Sequence, residues 1–311
     1  MGLKFWAYEV TRSQAIFSDA LESIVNVITP VVGLLALRAA SKPADKEHPY
    51  GHGKLEYFSS AFEGGLILFA SVMILSQAVI AALEGQQLFQ IETGLAMIVG
   101  AALVNLALGY GILKVGEKYH SVALQANGRH ILSDVWTTAG VIVGLFAVKL
   151  TGVTWLDLAA AVVVGLLLGF EGLRVVLDSA GGLMDAEDQR LTQVVADLFT
   201  EYRPQGVIHI HHTRVMRSGR YHHIDAHVVL PEYWDVNRAH AEMQDYENQV
   251  IRSYPVDGEV HFHLDPCRRV YCRFCDEQDC PVRQDDFQKL LPFTVERSEE
   301  HTSELQSPCN L

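Results

Sequence analysis

The chain has 311 residues, a formal net charge of −13 and 49% hydrophobic residues. That acidic balance argues against nucleic acid as a partner, which calls for a basic face. Four of the five cysteines fall between Cys267 and Cys280, so they are no disulfide framework for the whole fold.

Apolar residues fill the first 180 positions in long blocks, and the remainder reads like an ordinary water-soluble domain. No basic segment precedes a short apolar core in the manner of a cleavable signal peptide. A membrane helix needs about 20 mostly apolar residues. The opening "GLKFWAYEV" is apolar but too short to cross a bilayer. Four or five runs qualify: roughly Ser13–Leu37, Phe58–Leu83, Thr93–Val115, Val122–Leu150 and Leu156–Leu177, the first and fourth interrupted by polar residues. Arg38, Lys42, Lys46 and Lys54 lie between the first two runs, and Lys114, Lys118 and Arg129 around the connection into the fourth. The alternate connection "EGQQLFQIE" has no Lys or Arg, and "KLTGVTW" only Lys149. The positive-inside rule therefore places the 38–57 and 114–129 loops, and the C-terminal domain after Arg174, in the cytoplasm.

Ionisable groups inside such runs are expensive and mark function by default. The first long run carries Asp19, Glu22 and Asn26, with Glu22 and Asn26 spaced i, i+4. The fourth carries His130 and Asp134 at the same spacing, which puts each pair on one helix face. If the two helices face one another, four oxygen and nitrogen donors converge, a set suited to a four-coordinate divalent cation such as zinc. The competing reading of such residues is interhelical hydrogen bonding without a ligand. In the first basic loop, Asp45, His48 and His52 form D-x2-H-x3-H, a spacing that suits one cation held by three side chains.

The region 186–266 predicts helix, strand, strand, helix, strand: "DAEDQRLTQVVADLFTEY" with Asp185 or Asp188 as a cap, two strands joined at Ser-Gly, the amphipathic "DVNRAHAEMQDYENQVIRSY", and "GEVHFHLD". That order suggests a small open sheet with helices on one face. It holds His211, His227, His240, His263 and Asp265 among a large share of the 14 histidines. A solvated His-rich surface is the plain alternative to a metal site.

Cys267, Cys272, Cys275 and Cys280 follow, spaced C-x4-C-x2-C-x4-C over residues 267–283. Four thiolates so close can wrap one zinc, structural or sensory. A redox-sensitive thiol cluster and an iron–sulfur site compete with that reading. A reducing cytoplasm disfavours stable disulfides. The last stretch, 297–311, resembles a translated sequencing-adapter read-through and is assigned no function.

On these residues the chain resembles the cation diffusion facilitator family of proton-coupled divalent metal exporters, over about residues 3–267. "HILSDV" matches the family's His-x3-Asp on its fifth helix, and "ESIVN" occupies the place of the Asp-x3-Asp or His-x3-Asp on its second. The resemblance implies a transport site of Glu22, Asn26, His130 and Asp134. Asp19 and Asn127 are candidate auxiliary ligands, because Asn26 stands where relatives have a carboxylate. That departure leaves zinc first, with iron, manganese, cobalt or nickel as alternatives.

The resemblance also implies a six-span α-helical bundle whose first span is truncated here (residues 1–180), followed by a ferredoxin-like or metallochaperone-like α+β domain. It makes Asp45, His48 and His52 a secondary metal site. The five tail-domain residues correspond to positions that bind two metal ions at a homodimer interface in zinc-exporting relatives. His209, His212, His222 and His223 have no such counterpart and are expected at the surface. Lys54 and Asp185 match a charged pair near the hinge. The expectation is therefore a multi-pass antiporter of the cell inner (cytoplasmic) membrane, with protons as counter-ion and the lipid bilayer as solvent. Its runner-up is a membrane-anchored metal sensor or storage protein. No HExxH or nucleophile motif supports a metalloenzyme.

Overall fold

In the computed structural model the described residues are 1–85, 88–118 and 122–294, without the side chains of 116, 122–127, 129 and 130. The segment 297–311 lies outside them. The chain divides into two compact units, Met1–Ala36 with Phe58–Ala180, and Leu37–Tyr57 with Gly181–Leu311.

The first unit is helical: α1 (Gly2–Thr11), α2 (Gln14–Ala40), α3 (Leu55–Glu84), α4 (Ile91–Lys118), α5 (Val122–Thr151) and α6 (Trp155–Leu183). Among the described residues, α2 to α6 contain five segments long and apolar enough to cross a membrane. Their large side chains point outward: Phe69, Val72, Phe146, Leu166 and Phe170 are all exposed. A helix with apolar residues on its outer face is at home in lipid, where every backbone polar group must be satisfied within the helix. Inward-facing positions are small instead. On α3 they are Gly64, Ala70, Ser71, Ile74 and Ala78, and Gly64 lies against Gly172 of α6, where an added Cβ meets the partner's carbonyl oxygen at 3.0 Å. Small residues let helix backbones approach and replace the hydrophobic drive that lipid removes. Ser71 Oγ adds a hydrogen bond to the Gly165 carbonyl at 2.8 Å.

α1 stops at Arg12, whose left-handed φ of 59° turns the chain. The buried N-terminus of α2 is then capped from another helix. Asp157 of α6 accepts from Ser13 Oγ at 2.5 Å and from the Gln14 N–H at 2.8 Å. The carboxylate thus satisfies donors that the first turn leaves orphaned.

The second unit contains α7 (Gln189–Glu201), β1 (His209–Ser218), β2 (Tyr221–Leu230), α8 (Val236–Ser253), β3 (Asp257–Pro266) and a short 3-10 helix, Arg269–Phe274. Asp188 caps α7, accepting from the Arg190 N–H at 3.1 Å. Asp185 cannot share that role, because it ends α6 in the left-handed region at φ 56° and pairs with Lys54 at 2.8 Å. The sheet order is β1-β2-β3, with β1 and β2 antiparallel and β2 and β3 parallel.

Side chains alternate between the faces of a strand. Ile224, Ala226 and Val228 of β2 join Ile210 and Val260 in a core with Val195 and Phe199 of α7 and Met243, Tyr246 and Val250 of α8. Both helices therefore cover one face, as the sequence predicts, and the alternate residues stand on the other. Tyr246 is fully buried, and its hydroxyl donates to the Phe199 carbonyl at 2.5 Å, so the core tyrosine loses no hydrogen bond. The architecture is the one expected: apolar spanning helices followed by a small α+β domain.

Candidate metal centres

The polar residues of α2 and α5 meet. Asn26 Nδ2 donates to Asp134 Oδ2 at 2.7 Å. One turn earlier on α2 and one turn later on α5, Thr137 Oγ1 approaches Glu22 Oε2 at 3.4 Å while donating to the Asp134 carbonyl at 2.8 Å. His130 lies on α5 one turn before Asp134, but its side chain and that of Asn127 lie outside the described residues. Glu22, Asn26 and Asp134 are all half-buried.

The contact has a chemical meaning. An amide carries an oxygen as well as N–H donors, and a 180° turn of the Asn26 amide presents that oxygen instead. Pro30 lies inside α2, one turn after Asn26. Proline has no N–H to give the residue four positions back, so the backbone carbonyl of Asn26 lacks its helical donor.

Asp19 has other commitments. Lys4 Nζ of α1 lies 2.9 Å from Asp19 Oδ2, with both side chains buried, and Thr138 Oγ1 donates to Asp19 Oδ1 at 2.6 Å. A buried carboxylate so paired is already neutralised. Lys4, Thr137, Thr138 and Asp157 escaped the reading of the sequence. A lysine in a short apolar piece and threonines in a span carry no spacing signal that sets them apart from ordinary helix surface.

In the second unit, Asp45, His48 and His52 come together, with one ligand atom from each within 4.8 Å of the others. The turn is built by Asp45 itself. Its Oδ1 accepts from the backbone N–H of His48 at 2.7 Å and of Glu47 at 2.9 Å. The His48 N–H, foremost, holds the Asp45 carboxyl below its ordinary pKa. The His48 and His52 rings lie 4.3 Å apart.

A second such set is His211, His227 and Asp265. Register explains it. His211 pairs with His227 across β1 and β2, and His227 with His263 across β2 and β3, giving a row of three imidazoles on the face away from the helices. Asp265, two residues past His263, shares that face. Its carboxylate lies 3.2 Å from His227 Nδ1, 3.5 Å from His211 Nε2 and 3.7 Å from His263 Nε2. Burial pushes the His211 pKa below its ordinary value despite Asp265, which favours the neutral, ligating imidazole. His240 stands exposed on α8 and does not join this set within the chain.

The surface expectation for the remaining histidines is corrected. His209, His222 and His223 are buried, at 2%, 6% and 6% exposure. Each has a reason in the sheet. His209 stacks on His211 at 5.4 Å. His222 bonds to the Tyr254 hydroxyl at 2.8 Å, and His223 Nδ1 lies 2.7 Å from Glu259 Oε1. His212 enters a β-bulge between His211 and Arg214, with φ 54°. The bulge stacks its ring on His227 at 4.9 Å, and one extra residue in a strand gives no sequence signal.

Residues 1–184 match the cation efflux transmembrane domain, and residues 188–267 match the cytoplasmic domain of cation efflux proteins. The chain is 36% identical over 268 residues to the uncharacterized transporter sll1263 of Synechocystis sp., covering 86% of each chain. It is 31% identical over 276 residues to metal tolerance protein C1 of Arabidopsis thaliana, covering 82% of this chain and 57% of that protein. It is 26% identical over 271 residues to the cation-efflux pump FieF of Pectobacterium carotovorum, covering 86% of this chain and 88% of that one. With its spanning helices and its C-terminal domain of cytoplasmic type, the chain belongs to the cation efflux, or cation diffusion facilitator, family of metal-cation transporters.

Proposed function

We propose that this transporter exports a divalent transition metal, zinc foremost, from the cytoplasm across the inner (cytoplasmic) membrane in exchange for protons. Iron, manganese, cobalt and nickel are the alternative cargoes. Glu22, Asn26, His130 and Asp134 form the transport site, with Asp134 and Glu22 supplying negative charge and His130 carrying the proton. Metal ligands must be deprotonated, so cation and proton exclude one another at the same groups. Rocking of the bundle then releases metal outward and lets protons return, a secondary active cycle.

The observation that carries this reading is the 2.7 Å contact of Asn26 with Asp134, which joins the polar stripes of α2 and α5. Asp19 serves as a fixed carboxylate bound to Lys4 rather than as a ligand, and Asn127 is an auxiliary donor beside His130. In the tail domain, His211, His227 and Asp265 hold a regulatory metal. His240 and His263 supply further donors at a homodimer interface. Asp45, His48 and His52 form a loop site, and Lys54 with Asp185 clamps the loop to the end of α6.

Zinc flux in proteoliposomes tests the proposal. An imposed proton gradient is expected to drive zinc uptake into inverted vesicles, and Asp134→Ala to abolish it. Metal binding without flux would instead identify a membrane-anchored sensor or store.

A further inference from the structure

The segment following β3 contains a cluster of four cysteines that the transport cycle does not use. Cys267, Cys272, Cys275 and Cys280 all line one small cavity of about 30 Å³, the size that admits a single ion or water. All four are free thiols. Cys272, Cys275 and Cys280 lie beyond the matched cytoplasmic domain, which ends at residue 267.

The surrounding backbone is organised around this cavity. The Cys267 N–H donates to the Leu230 carbonyl at 2.8 Å, fixing the first thiol to the end of β2. Cys275 is buried with Ile208, Val229 and Tyr271. Arg283 then gathers the loop. Its guanidinium donates to the carbonyls of Cys272 at 3.1 Å, Cys275 at 3.0 Å and Glu277 at 2.5 Å. The Gln284 N–H points at Cys272 Sγ from 3.5 Å, the kind of donor that stabilises a thiolate. Arg268, Arg269 and Arg283 border the cavity and oppose the negative charge that four thiolates leave around one dication.

We propose that these four cysteines bind one zinc ion as a closed, structural tetrathiolate site. Each thiol gives up its proton to the solvent on binding. Four protein ligands leave no open coordination position, so the ion is neither cargo nor catalyst. It clips the segment 267–283 onto the end of the sheet, next to Asp265. The inference does not depend on the transport reading.

The test uses the full chain in detergent, thiol-reduced, loaded with zinc and washed. X-ray absorption at the zinc edge is expected to show sulfur scatterers at about 2.3 Å. The double variant Cys272→Ser/Cys275→Ser is expected to lose that sulfur shell and one zinc per chain while keeping its flux in proteoliposomes. Its elution and melting, followed in parallel, report whether it folds. Zinc with only nitrogen and oxygen neighbours in the wild-type chain would overturn the proposal. So would a chain purified with an iron–sulfur chromophore, or with its cysteines in disulfides. Failure of flux in the wild type alone would sink the export reading and leave this one standing.

Discussion

At the residue scale, the informative position is Asn26. Its amide nitrogen donates to the Asp134 carboxylate at 2.7 Å. A carboxylate there would face another carboxylate at hydrogen-bond distance, and like charges so close cannot both ionise without a cation between them. Asn26→Asp is therefore expected to bind zinc more tightly, by about tenfold or ~1.4 kcal/mol, and to displace more protons per metal. Isothermal titration in buffers of different ionisation heat measures both; unchanged affinity and proton release would remove Asn26 from the site. Pro30 gives a second prediction. A proline in a helix interior costs about 3 kcal/mol relative to alanine, so keeping one next to Asn26 implies a use for the freed carbonyl. Pro30→Ala should raise the melting temperature and weaken zinc binding severalfold, and a stabilised variant with full affinity would show that the carbonyl is not a ligand.

At the element scale, the sheet organises both cores of the tail domain. Its even positions on β2 build the helix-covered core and its odd positions carry the histidine row. His222 falls on the buried side, where desolvation first, then Arg217 and His223, lower its pKa. A histidine whose folded value lies below its ordinary value near 6.5 binds its proton more readily in the unfolded chain. Stability is therefore complete above about pH 6.5 and declines as pH falls towards the folded value. Melting of the detergent-solubilised chain is expected to drop over that window, and His222→Gln to flatten the drop; an unaltered pH profile in the variant would assign the effect elsewhere. In the helical unit, Gly172→Val forces a side chain against Leu68 N and Gly64 O, both within 3.0 Å of an added Cβ. Overpacking of this kind typically costs about 1–3 kcal/mol, read as a lower melting temperature with α3 and α6 pushed apart.

These elements were mostly legible beforehand. Long apolar runs have few alternatives to spanning helices, and period-two alternation with a Ser-Gly turn has few alternatives to a hairpin. The meeting of Asn26 with Asp134 was legible for the same reason, since helical spacing fixes which residues share a face; the His130 side chain lies outside the described residues. What stayed hidden depends on register and packing. The row of His211, His227 and His263 exists only because β2 pairs antiparallel with β1 and parallel with β3. The burial of His209, His222 and His223, and the bulge at His212, follow from that pairing rather than from any local pattern. Lys4 could find Asp19 only through the approach of α1 to α2, which no spacing announces.

At the scale of the whole molecule, the chain couples an apolar helical unit with a buried polar stripe to a histidine-rich, acidic tail domain. The account depends on α2 and α5 offering their donors to one ion that protons displace. The most direct test is zinc flux in proteoliposomes holding the full chain, compared with Asp134→Ala, at a fixed zinc gradient with the proton gradient varied. The account predicts flux that rises with the opposing proton gradient and vanishes in the variant. Zinc movement indifferent to protons, or undiminished by Asp134→Ala, would contradict it.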